Sequence, residues 1–118
     1  MDDLVSLRFE FSEAEDAFLA IVILGHRWDR AAFSRLEGAM RRTCATFEER
    51  NEQVLPRWLV EGFWMCVDWL PDYTGHPRFP RPEPAEYYEA ALQRLRDLHY
   101  WLVMGDSPYV ADHVWEDL

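Results

Sequence analysis

Two prolines, Pro56 and Pro71, bracket the run Arg57 to Leu70, in which Arg57, Glu61 and Asp68 are the only charged side chains. Proline suits the first turn of a helix and breaks its interior, so this spacing predicts a helix that begins at Pro56 and ends before Pro71. At about 100° per residue the three charges fall within one stripe about 40° wide, with Trp64 at its edge. A helix apolar over the rest of its circumference is a buried one, and the remainder of the chain is expected to pack around it. Arg57 and Glu61 are four residues apart and can pair. Trp58, Met65 and Trp69 share one side, with Gly62 beside them, where the missing Cβ lets another backbone or a ligand approach closely. That side reads as core packing or as a binding groove.

The flanking segments extend the helical pattern, with one exception. From Leu4 to Phe11 the residues alternate, Val5, Leu7, Phe9 and Phe11 against Ser6, Arg8 and Glu10, which is the period of a half-buried strand. The next stretch is ambiguous. Ser12 with Glu15 forms a capping box for a helix that Gly25 can end, yet the unbroken apolar run Ala17 to Leu24 also suits a strand, giving a β-hairpin over 4–24. Asp29 then caps a long helix to about residue 52, with Phe33, Leu36, Met40, Cys44, Phe47 and Val54 along one face. Residues 71–83 form an extended proline-rich loop, long for a compact domain. Tyr73 and Phe79 are expected to pin it as an ordered strap. A last long helix covers 84–104, burying Tyr88, Leu92, Leu95, Leu98 and Leu102 and stopping at Gly105. Ser107 and Pro108 start a short C-terminal helix in which Val110, Val114 and Leu118 recur every four residues. The expected fold is mainly α: one domain over 1–118, a bundle of about four principal helices with a short C-terminal helix and an N-terminal strand.

Composition narrows the function classes. An apolar fraction of 49 % and an aromatic fraction of 15 % supply a core for a chain of 118 residues and argue against disorder. No apolar run reaches the ~20 residues of a membrane helix. The N-terminal stretch Met1-Asp2-Asp3 is acidic where a signal peptide is basic, so a cytoplasmic location is expected. The net charge is −10, and all twelve basic residues are arginine. A GC-rich bacterial genome is the simplest source of that bias. Without lysine there is no phosphate-loop, Schiff-base or pyridoxal-anchoring lysine. The acidic balance repels nucleic acid and anionic membrane and attracts basic partners. Cys44 and Cys66 lie on apolar helix faces and read as free buried thiols.

Motifs for chemistry are sparse. His26, His76, His99 and His113 are far apart in sequence and lack the spacings of zinc or di-iron sites, so no metal and no cofactor is expected. No serine sits in a Gly-x-Ser-x-Gly elbow, and the five single glycines build no phosphate cradle. The best acid–base set is a cleft of Arg57, Glu61, Trp64 and Asp68 on the central helix, completed by His99. Most such stripes are simply a solvated helix edge.

The composition points first to a small, non-catalytic module that binds a basic protein surface, as inhibitors, immunity proteins and antitoxins do. Its expected contact residues are Tyr109, Asp112, Trp115, Glu116 and Asp117, with Val110, Val114 and Leu118 docked on the bundle. The alternatives are a small enzyme or ligand-binding domain using Glu61, Asp68 and His99, and a subunit of a homo-oligomer or larger complex. Monomer and homodimer are both compatible with the sequence.

Overall fold

The computed structural model describes residues 3–118; Met1 and Asp2, on which part of the N-terminal charge argument falls, lie outside the described residues. The chain folds as α1 (Asp3–Glu10), α2 (Phe18–Gly25), α3 (Arg30–Glu49), α4 (Arg57–Trp64), a π-helical turn (Met65–Trp69), α5 (Leu70–Thr74) and α6 (Ala85–Met104). The core lies between α3, α6 and the α4–α5 stretch. Its largest fully buried side chains include Phe18, Phe33, Phe63, Tyr88, Met40 and Leu95. An aromatic knot closes one end, where the buried Trp28 ring meets Phe18, Phe33, Tyr87 and Tyr88.

The two longest helices form where their sequence signals lie. Asp29 caps α3 by accepting from the Ala32 amide at 3.0 Å, and that bond holds its carboxyl below the usual carboxylate range. Phe33, Leu36, Met40 and Cys44 are buried along α3. The helix ends at Glu49, however, so Val54 lies beyond it and is exposed. In α6 Tyr88, Leu95, Leu98 and Leu102 face the core, and Gly105 ends the helix with φ +74°.

The expected N-terminal strand is a helix, and no strand occurs among the described residues. Leu4, Leu7 and Phe11 also carry helical spacing, and α1 packs against α3 with Leu7 fully buried. Asp3–Arg42 at 2.9 Å and Glu10–Arg35 at 3.1 Å tie its two ends down. The alternation left Val5 and Phe9 at the surface instead. The hairpin over 4–24 is thereby excluded. The capping box does not start a helix either: Ser12 donates to the Phe9 carbonyl and accepts from the Ala14 amide, so it closes a turn. Buried Glu10 takes over at α2, accepting from the Phe18 amide at 3.2 Å. Gly25 is the last helical residue, and His26 adopts the left-handed conformation, φ +55°.

The central helix does not stop at Pro71. It widens into the π turn Met65–Trp69, in which the Leu70 amide bonds back to the Met65 carbonyl, and then continues to Thr74. A proline ring inside a helix crowds the carbonyl four residues earlier, and a wider turn just before it gives room. The loop therefore begins after Thr74. Arg81 fastens it by donating to the Thr74 carbonyl at 2.8 Å, and Phe79 is buried. Nor is the central helix buried all round: Arg57, Val60, Glu61, Trp64 and Asp68 are exposed.

The expected C-terminal helix is absent. Residues 105–118 run as turns and irregular backbone across the face of α3 and α6. Trp115 is their anchor, its ring nearly parallel to Trp101 (8°, centroids 6.3 Å apart) and covered by the guanidinium groups of Arg41 and Arg94. Of the four-residue apolar repeat, Leu118 packs against the core, whereas Val110 and Val114 are 71 % and 79 % exposed and a single indole anchors the segment in their place.

Candidate functional site

One open surface lies where the end of α1, α2 and α4 meet. The run Ala17 to Leu24 has more apolar side chains in succession than one short helix can bury. Phe18 to Val22 enter the core, while Ile23 and Leu24 stay 42 % and 76 % exposed. They border an open groove of about 590 Å³ with Phe11, Leu19, Ala20, Trp58, Gly62 and Met65. Arg8, Ser12, Glu13 and Glu61 supply its polar edge. The Phe11 ring lies directly over Gly62, where a Cβ would collide with it. The close approach read from that glycine is thus made by the chain itself, and it shapes the groove floor.

A second pocket of about 510 Å³ opens further along the same helix. It is lined by Trp64, Asp68, Trp69, Asp72 and Tyr73 from α4, the π turn and α5, by His76, Arg78 and Phe79 from the loop, and by His26. Trp69 and Tyr73 stack with centroids 4.6 Å apart. The Tyr73 hydroxyl and His26 Nδ1 are hydrogen-bonded at 2.9 Å, which holds the left-handed end of α2 against α5. His76 Nδ1 accepts from the Arg78 amide.

The cleft expected on the central helix is divided. Glu61 opens on the groove, Trp64 and Asp68 on the aromatic pocket, and Arg57 and His99 line neither. No ion pair joins Arg57 to Glu61 among the described residues. His99 is partly buried on α6, and burial pushes its imidazole pKa down. In the tail, Trp115 and Tyr109 face inward, Tyr109 donating to Asp97 at 2.8 Å. Asp112, Glu116 and Asp117 are exposed. Burial, then the Asp97 carboxylate, raises the Tyr109 pKa well above a phenol's usual value. Among the described residues no group of three His, Cys, Asp or Glu is placed to hold a metal ion, and no helix is long and apolar enough to cross a membrane.

Part of this chain is similar to a bacterial toxin. Over 47 residues it is 38 % identical to the cytoskeleton-binding toxin CbtA of Escherichia coli and to toxin CbtA of a second Escherichia coli strain. The matched segment spans 40 % of this chain and 38 % of the length of each of these curated relatives. No family model matches the chain, and no solved structure does.

Sequence reasoning missed Leu24, Asp72 and Tyr73. The signal for Leu24 was the length of the apolar run itself. Asp72 and Tyr73 were hidden by treating Pro71 as a helix end.

Proposed function

We propose that this chain is a toxin-related protein-binding module that inhibits a protein target by covering part of its surface, without catalysing a reaction. The local likeness to the CbtA toxins carries the reading, since one of them is named a cytoskeleton-binding toxin. The surface of α2 and α4 supports it: Ile23 and Leu24 expose apolar surface at the groove that Glu61 borders, and Trp64 does so at the pocket that Asp68 lines. Exposed aromatic and aliphatic anchors in a polar rim are what partner surfaces engage. The charge of −10 favours a basic partner, because complementary fields speed encounter. The proposal takes the toxin side over the antitoxin or immunity side, and α2 and α4 over the acidic tail as the contact face.

Induced synthesis of the chain in Escherichia coli tests this. Growth should slow, and Leu24→Asp or Trp64→Ala should restore it, with both variants accumulating and melting like the parent. A chain made to high level in folded form with no effect on growth sinks the toxin reading.

A further inference from the structure

We propose that the aromatic pocket formed by Trp64, Asp68, Trp69, Asp72 and Tyr73 is a subsite for the guanidinium group of an arginine on the partner protein. This deepens the protein-binding reading above and rests on it. Five arginine–aromatic contacts occur inside the structure: Arg8 on Trp58, Arg30 on Tyr87, Arg41 and Arg94 on Trp115, and Arg81 on Tyr88, at 4.1 to 5.2 Å. Of the remaining indoles, Trp28 is buried in the aromatic knot and Trp101 is stacked on Trp115. Trp64 and Trp69 carry no cation among the described residues, and both line the pocket. Trp64 is 49 % exposed.

The carboxylates tell the same story. Asp68 and Asp72 line this pocket, and neither has a hydrogen-bond or ion-pair partner among the described residues. Elsewhere the chain ties Asp3, Glu10, Asp29, Glu37 and Glu83 to arginines. An open cavity thus offers two unpaired acceptors beside flat, electron-rich ring faces. A guanidinium group suits that combination better than an ammonium. It is planar and weakly hydrated, it stacks on indole, and it presents paired N–H donors to a carboxylate. Arg78 lines the same pocket without pairing to either aspartate, so it is a weak internal competitor.

The pocket can be probed without the partner. N-acetyl-arginine amide is titrated into the folded protein at physiological salt, and the indole N–H resonances of Trp64 and Trp69 are followed by NMR. They should shift saturably, while that of Trp101 stays in place. The neutral isostere N-acetyl-citrulline amide should leave all of them unmoved. Asp68→Asn and Asp72→Asn should each weaken binding about threefold, as expected for a partly exposed ion pair. Trp64→Ala should weaken it by a similar factor, about two- to fivefold. Arg78→Gln should strengthen it. Free arginine, whose own carboxylate meets the two aspartates, should bind less well than the amide; tighter binding of free arginine would overturn a protein partner as the source. Equal shifts with citrulline, or shifts spread evenly over the acidic surface, would overturn the subsite. Both comparisons use the unmodified protein, so a misfolded variant cannot mask the result. A growth effect without arginine binding removes the subsite and keeps the toxin reading. Arginine binding without a growth effect keeps the subsite and removes that reading.

Discussion

Arg94 Nη1 donates to Glu37 Oε1 across 2.7 Å, with both side chains less than a tenth exposed. This ion pair joins α6 to α3 beneath the Trp115 indole, and Arg41 approaches the same carboxylate from the side, at 3.5 Å. Removing Glu37 leaves the buried Arg94 charge without its counterion, which costs about 3–5 kcal/mol, whereas removing Arg94 leaves Glu37 the more distant Arg41. Glu37→Ala should lower stability by that order in urea unfolding, and Arg94→Ala by less. The double variant Glu37→Leu with Arg94→Met should recover most of the loss, because a packed apolar pair carries no desolvation penalty. A double variant as unstable as Glu37→Ala would contradict this.

Trp115 should matter more to stability than any acid in the tail. Its indole stacks on Trp101 and packs against two guanidinium groups while remaining partly exposed. Trp115→Ala should therefore cost roughly 2–3 kcal/mol, below the 3–5 typical of a fully buried ring. Val114→Ala, at a side chain 79 % exposed, should be neutral. Replacing Asp112, Glu116 and Asp117 together by amides should leave the melting temperature nearly unchanged. The order of these effects in thermal melts is the check.

Gly62→Ala tests the close approach of α1 to α4. The added methyl meets the Phe11 ring, so the ring or α1 must shift. Overpacking of this kind costs about 1–3 kcal/mol, against the few tenths to one that alanine gains over glycine in a helix. The variant should be destabilised, and adding Phe11→Leu should relieve part of the cost. A stabilised Gly62→Ala protein would show that the ring sits elsewhere.

The thiols set an alkaline limit. Burial raises Cys44 and Cys66 from an ordinary 9.0 to about 12. Below pH 9 both thiols are protonated, folded or unfolded. Between about pH 9 and 12 the unfolded chain ionises first and releases protons that the folded one keeps, so stability falls as pH rises through that window. Iodoacetamide at pH 8 should leave the native protein unlabelled and modify both cysteines once urea is added. Rapid labelling of the native protein would mean that the thiols are open to solvent.

Among the elements, α3 and α6 were legible because their signals are local. The Asp29 cap, the Phe33-Leu36-Met40-Cys44 stripe and the Gly105 stop each act within one or two turns of helix, where spacing alone decides which face is apolar. The same holds for the Pro56 start of the central helix. Of the candidate cleft, spacing put Glu61, Trp64 and Asp68 on one exposed stripe, but it could not say that Glu61 would open on one cavity and Trp64 and Asp68 on another. Residues 4–11 fit two periods at once, and only the docking of Leu7 on α3, with Arg42 and Arg35 waiting for Asp3 and Glu10, chose the helix. Pro71 reads as a stop until packing holds a π turn ahead of it. The tail shows the limit most plainly. Its four-residue apolar repeat is a property of the sequence, whereas the slot between Trp101, Arg41 and Arg94 exists only after α3 and α6 have come together, and that slot takes the indole of Trp115 and leaves Val110 and Val114 in water.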